Sequence, residues 1–115
     1  MSPPRGYSTP RMDDDLTIRN SRDGSTVIVT AAGEIDLSTV GELRAAVTES
    51  CENCDRLRLD LSEVDFIDST GLGGLLELRS TLRARGVTLE IVAGDGPVRQ
   101  AVEITGLGEL LAHTP

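Results

Sequence analysis

The chain has 115 residues, a formal net charge of −8 and only two aromatic residues, Tyr7 and Phe66. This length supports one domain, and its core must be built from aliphatic side chains. Nucleic acids and anionic membranes select basic surfaces, so the charge argues against both as partners. No apolar run approaches the ~20 residues of a membrane span, and the N-terminus lacks a signal-peptide core, so a cytoplasmic protein is expected.

Residues 1–14 contain several prolines and no apolar periodicity. We interpret them as a flexible N-terminal tail that precedes one domain over residues 15–115. The apolar stretches "LTI" and "TVIVTAA" flank a turn signal at Asp23-Gly24. This arrangement predicts that the first two strands form a β-hairpin.

The segment "TVGELRAAVTESCENC" predicts the first helix. Thr39 followed by Glu42 is the pattern of a capping box. Apolar residues then recur at helical spacing, at Val40, Leu43, Val47 and Cys51.

The segments "RLRLDLS" and "VTLEIV" alternate between apolar and polar residues, which predicts two half-buried strands. Their inward residues are Leu57, Leu59, Leu61, Val87, Leu89 and Ile91. A helix between them ends before Gly86, and its apolar face contains Leu72, Leu75, Leu76 and Leu82. A last helix follows between Pro97 and Gly106, and then a short apolar turn, "LGELL".

The predicted order β-β-α-β-α-β-α-α indicates a single α/β domain. It has a mixed, mostly parallel four-stranded sheet and about four helices, largely on one face. Loops that leave parallel strands at their carboxyl ends gather at one edge, where ligands and partners usually bind. The segments "GEIDLS", "SEVDFIDST" and "GDGP" are predicted to leave strands there and to bring together Asp36, Asp65, Asp68, Ser69 and Asp95.

Ser69 lies where the central helix begins, and two explanations for it stay open. Serine is a good N-cap, with a contribution of about 1 kcal/mol. However, Gly71, Gly73 and Gly74 follow at once, and each glycine in a helix interior costs about 1 kcal/mol relative to alanine. Such glycines either permit tight helix–sheet packing or leave bare backbone against which another molecule can press.

Catalytic explanations of Ser69 find little support. The residue two before it is Ile67 and not the glycine of a hydrolase elbow, and His113 is the only histidine. The chain has no lysine for a phosphate-binding loop, and "GLGG" does not match the dinucleotide fingerprint. A metal or nucleotide site at the acidic edge would need loop carboxylates as ligands. Such carboxylates are far more often exposed to solvent without binding anything. We therefore expect no enzyme, no cofactor and no metal.

Cys51 and Cys54 form one C-x-x-C motif among acidic neighbours, at the end of a predicted helix. This position disfavours thiolate, and one such pair supplies only half a zinc site. Structural cysteines are the favoured interpretation, and a regulatory disulfide stays open.

A hydroxyl that lacks its own activating groups can still accept a phosphoryl group from another enzyme. Phosphate would add about −1.5 to −2 charges at an acidic edge. The helix dipole would tolerate that charge, whereas a bound partner surface would be repelled. The residues alone thus suggest a binding module controlled by phosphorylation.

The segments "GEID", "LDLSEVDFIDSTGLGGLLEL" and "VEITGLGELL" resemble the STAS domain of bacterial anti-sigma factor antagonists. The resemblance covers about residues 16–112. It implies that the dephosphorylated chain binds an anti-sigma factor, itself a serine kinase, and so releases a sigma factor. The kinase would phosphorylate Ser69, with Thr70 as second choice, and a dedicated phosphatase would reverse this.

We expect a partner-binding surface made of Asp36, Asp65, Asp68, Ser69, Thr70, Gly71, Leu72 and Gly73. The resemblance implies that Asp36 and Asp68 lie beside Ser69 and help to orient its hydroxyl or to position the kinase. The alternative is a STAS scaffold that is not phosphorylated, as a subunit of a signalling or transport assembly.

Overall fold

The computed structural model describes residues 16–111, so the predicted tail at residues 1–14 lies outside the described residues. Strand β1 (Leu16–Asp23) pairs antiparallel with β2 (Thr26–Ile35), which confirms the hairpin. Gly24 takes a φ of +65° in the turn, which glycine adopts without strain. β1 is longer than the predicted "LTI" because residues 19–23 continue the pairing although they are polar and exposed.

Helix α1 (Val40–Ser50) buries the predicted stripe of Val40, Leu43 and Val47. The predicted capping box is wrong, since the Thr39 side chain makes no capping hydrogen bond to the helix. Thr39 is buried, and its hydroxyl donates to the Glu34 carbonyl at 2.8 Å. It also accepts from the Asp36 N–H at 2.9 Å, so it holds the turn before the helix.

Strand β3 (Arg56–Ile67) runs parallel to β2 at the centre of the sheet. Leu57, Leu59 and Leu61 are buried as predicted. The interpretation of "SEVDFIDST" as a loop is wrong, because residues 62–67 still belong to β3. Irregular pairing with β2 beyond Thr30 inserts extra β3 residues, so the next buried side chain after Leu61 is Val64.

Helix α2 (Ser69–Ala84) connects β3 to β4 (Thr88–Val92), which pairs parallel with β3. Gly86 follows the helix with a φ of +76°, in agreement with the predicted stop. The fully covered leucines of α2 are Leu75, Leu78 and Leu82. The predicted face was therefore slightly rotated, since Leu72 and Leu76 are only partly buried against the core.

Helix α3 (Pro97–Ile104) begins at a proline as predicted, and the 3-10 helix Gly108–Leu110 replaces the fourth helix. The sheet order β1-β2-β3-β4 confirms the mixed, mostly parallel four-stranded sheet. Side chains that point away from the core are partly exposed, as in the ion pair between Arg58 Nε and Glu90 Oε1 at 2.7 Å. The helices therefore leave one sheet face polar, as the alternating pattern predicted.

Candidate functional site

The carboxyl ends of β2 and β3 lie side by side and carry the candidate site. Ile35 is paired with Ile67 in the sheet. Just beyond this pair, the Asp68 N–H donates to the Ile35 carbonyl at 3.2 Å. The turn after β2 is thereby placed next to the start of α2.

Asp68, not Ser69, caps helix α2. Its backbone is extended, and its Oδ1 accepts from the N–H of Gly71 at 2.8 Å. Ser69 is therefore the first residue of the helix, and both Ser69 and Thr70 are exposed. Among residues 16–111, no group forms a hydrogen bond with the Ser69 hydroxyl. The cap explanation of Ser69 thus does not hold.

Asp36 is engaged within its own turn. Its Oδ1 accepts from the Ser38 hydroxyl at 2.8 Å and from the Ser38 N–H at 3.0 Å. The side-chain hydrogen bond from Ser38 is the main cause that lowers the pKa of Asp36 below its usual 3.8, with smaller contributions from the Ser38 N–H and Thr39. Asp36 is therefore a fixed negative charge beside the start of α2.

The three glycines of α2 have different surroundings. A Cβ on Gly71 would lie 2.7 Å from the Ile35 carbonyl oxygen, so this glycine lets the helix pack on the end of β2. A Cβ on Gly74 would clash with the Val40 side chain of α1. By contrast, a Cβ on Gly73 would meet nothing within 4 Å. Tight packing thus explains two of the glycines, and open space remains above the third.

A groove separates the first turns of α1 and α2. We call it the α1–α2 groove, and its lining includes Leu37, Val40, Gly41, Thr70, Gly73 and Glu77. Thr70 lines this groove, and Ser69 immediately precedes Thr70 in the chain.

The predicted acidic edge is divided between two places. Asp65 and Asp95 line a separate cleft beside the start of α3, together with Ser62 and Val64. β4 ends at Val92, opposite Asp60, so the loop that carries Asp95 begins well before the end of β3. Asp36 and Asp68 remain at the end of the sheet with Ser69.

Two exposed apolar side chains near the site were missed by the sequence analysis. Leu37 is 77% exposed in the turn after β2, and Phe66 is 48% exposed near the end of β3. The signal for Leu37 was available, because a leucine between Asp36 and Ser38 fits neither a strand pattern nor a helix pattern. The exposure of Phe66 could not be predicted, because the alternation of inward and outward side chains shifts within β3.

Cys51 and Cys54 are buried thiols at the turn between α1 and β3. The Arg85 guanidinium donates from Nη1 to Cys51 Sγ at 3.2 Å. Burial is the main cause that raises the pKa of the Cys54 thiol. Both sulfurs thus lie within the core, in keeping with a structural role.

Within residues 16–111, no three His, Cys, Asp or Glu side chains are grouped so as to hold a metal ion. His113 lies outside the described residues. Of the helices in this part of the chain, none combines the length and apolar character that crossing a membrane requires.

Comparison with known proteins gives a consistent result. The family model described as the STAS domain matches residues 17–114. The anti-sigma-B factor antagonist of Listeria monocytogenes is 33% identical over 91 residues, which cover 78% of this chain and 80% of that protein. The anti-sigma-F factor antagonist RsfB of Mycobacterium tuberculosis is 30% identical over 95 residues, with 82% and 77% covered.

A solved structure agrees with these relatives. An anti-sigma factor antagonist from Mycobacterium paratuberculosis superimposes with a TM-score of 0.79 at 28% identity, and the match covers 89% of each chain.

Proposed function

Because the chain belongs to the STAS-domain family of anti-sigma factor antagonists, we propose that phosphorylation of Ser69 switches off its binding to an anti-sigma factor. Members of this family are regulators and not enzymes. In the proposed cycle, the dephosphorylated chain binds an anti-sigma factor that is also a serine kinase, and a sigma factor is released. A phosphatase restores the dephosphorylated form. Control of transcription places these steps in the cytoplasm.

The observation that supports this proposal is the presentation of Ser69. Asp68 supplies the N-cap of α2, so the Ser69 side chain is not required for helix stability. The hydroxyl is exposed at the first helical position, where a kinase can reach it. The kinase would transfer the γ-phosphoryl group of ATP to Ser69 Oγ, and ADP would leave.

Electrostatics explain why one phosphate suffices. Its charge of about −1.5 to −2 would lie at a helix N-terminus, where the dipole favours an anion by ~0.3–1 kcal/mol. The fold is therefore preserved. Between this phosphate and the phosphates of the kinase's bound nucleotide, repulsion is roughly 4 kcal/mol for like unit charges about 4 Å apart near a protein surface. A tenfold loss of affinity requires only about 1.4 kcal/mol.

The test is phosphorylation in vitro, read by intact mass. After incubation with an anti-sigma factor kinase from the same bacterium and ATP, we expect the wild type to gain one phosphoryl group. We expect Ser69→Ala to gain none and Thr70→Ala, as the matched control, to gain one. No gain with any such kinase would contradict the switch and favour a scaffold that is not phosphorylated. A gain in Ser69→Ala and not in Thr70→Ala would move the site to Thr70.

A further inference from the structure

The α1–α2 groove contains two helical glycines that the fold itself does not need. A Cβ added at Gly41 of α1 or at Gly73 of α2 would meet nothing within 4 Å. Neither glycine has a positive φ, so neither is required by backbone conformation. Glycine destabilises a helix interior by about 1 kcal/mol relative to alanine. Gly73, in the second turn of α2, therefore weakens its helix with no gain in internal packing, whereas Gly41 lies in the first turn of α1 and only leaves the space open.

Both glycines contribute to the lining of one groove, and an apolar side chain stands at its edge. Leu37 is 77% exposed and lines the groove from the turn before α1. The bare backbone of the two glycines and the Leu37 side chain together form a recess, and recesses of this kind are filled by anchor side chains of a partner.

The charges near the groove determine what kind of molecule fits. Asp36 and Asp68 flank the starts of α1 and α2, and within residues 16–111 neither carboxylate forms an ion pair. At the other end of the groove, Arg44 is neutralised by an ion pair with Glu77. The surroundings thus carry unbalanced negative charge, in a chain whose net charge is −8.

We propose that the α1–α2 groove receives an apolar side chain from a positively charged segment of the anti-sigma factor. Gly41 and Gly73 make room for this side chain, and Leu37 covers it from the side. This inference rests on the proposed function, since it identifies where and by what chemistry the partner docks. A docked segment would hold Ser69, which immediately precedes Thr70 in the groove lining, beside the nucleotide of the kinase, and the phosphates of that nucleotide would repel a phosphate on Ser69.

The test measures the affinity of the dephosphorylated chain for the purified anti-sigma factor kinase that phosphorylates it. Gly41→Ala and Gly73→Ala each add one methyl group to the groove, and we expect each to lower the affinity at least tenfold. The matched control is Gly94→Ala, which also has open space around its Cβ but lines the cleft beside Asp95. We expect its affinity to stay within twofold of the wild type. Thermal unfolding of all variants must show that none is destabilised.

Ser69→Glu separates the possible failures. If Ser69→Glu loses binding while both groove variants bind like the wild type, the groove inference is wrong and the proposed function stands. If the wild type binds no anti-sigma factor kinase, the proposed function fails, and the groove inference fails with it. If the groove variants lose only self-association in sedimentation equilibrium, the occupant is a second copy of this chain and the inference is overturned.

Discussion

At the scale of single residues, Asp68 and Asp36 have different structural roles near Ser69. Asp68 supplies the cap of α2, and Asp36 is held by Ser38 and Thr39. Two fixed carboxylates thus stand near a hydroxyl that has no hydrogen-bond partner among the described residues. A partner that binds here meets preorganised charge, which is better for specificity than mobile charge.

The hydrogen bonds to Asp36 predict a measurable pKa. Because they stabilise the charged carboxylate, we expect a folded-state pKa below 3.8. This contribution to stability is present above the unfolded-state pKa and is lost as the pH falls through the folded-state value. NMR titration of the side-chain carboxyl carbons measures it directly. Ser38→Ala should raise the pKa of Asp36, whereas an Asp36 pKa at or above 3.8 in the wild type would contradict the structure.

Sequence patterns located the residues of the site better than they assigned the roles. Ser69 was correctly placed at a helix start, but serine and aspartate are equally good N-caps, so the pattern did not distinguish Asp68 from Ser69. Thr39 fitted a capping box and instead binds the Glu34 carbonyl. Its burial is a tertiary effect, and local spacing does not encode which neighbour satisfies a buried hydroxyl.

At the scale of elements, the start of α2 is shaped by its contacts with β2 and α1. Gly71 lies against the end of β2, Gly74 lies against Val40 of α1, and Gly73 faces open space. Two of these glycines are therefore required by packing and the third is not, although all three lie within about one helical turn. Composition alone left these possibilities open because they depend on which side of α2 faces the sheet.

These surroundings predict opposite effects of the same substitution. We expect Gly71→Ala to lower the free energy of unfolding by about 1–3 kcal/mol, because the new methyl group would press on the Ile35 carbonyl. We expect Gly73→Ala to raise it by up to about 1 kcal/mol through helix propensity. Urea unfolding measures both values. Equal effects of the two substitutions would contradict the packing of α2 on β2.

Strand β3 shows why the sequence predicted one end of an element and not the other. The alternation of Leu57, Leu59 and Leu61 predicted its first half correctly. Irregular pairing with β2 then shifts the phase, so that Ser62 and Glu63 are both exposed and Val64 is buried. A pattern with a period of two residues breaks at such a bulge, and the rest of the strand looked like a loop.

At the scale of the whole molecule, the arrangement of elements followed from the sequence and the shape of the surface did not. Apolar periodicity and turn residues predicted the strand count, the hairpin and the crossovers. The α1–α2 groove arises from the approach of two helices that are separate in sequence. Its lining from Leu37 and Glu77, 40 positions apart, was therefore not visible in any local pattern.

The net charge predicts how association should respond to salt. A chain with a charge of −8 should attract a positively charged partner over long distances, and salt screens this attraction. We expect the association rate with the anti-sigma factor to fall roughly tenfold or more between low and high ionic strength. Stopped-flow mixing over a salt series measures it, with the dissociation rate as internal control. An association rate that is independent of salt would contradict a basic docking segment.

The contacts that hold the start of α2 in place also determine how quickly phosphorylation could act on partner binding. The hydrogen bond from the Asp68 N–H to the Ile35 carbonyl and the close approach of Gly71 to β2 hold the backbone at Ser69 against the end of a buried strand. No refolding step would then separate modification from release under the proposed function. How long a signal lasts would depend only on the turnover of the kinase and the phosphatase.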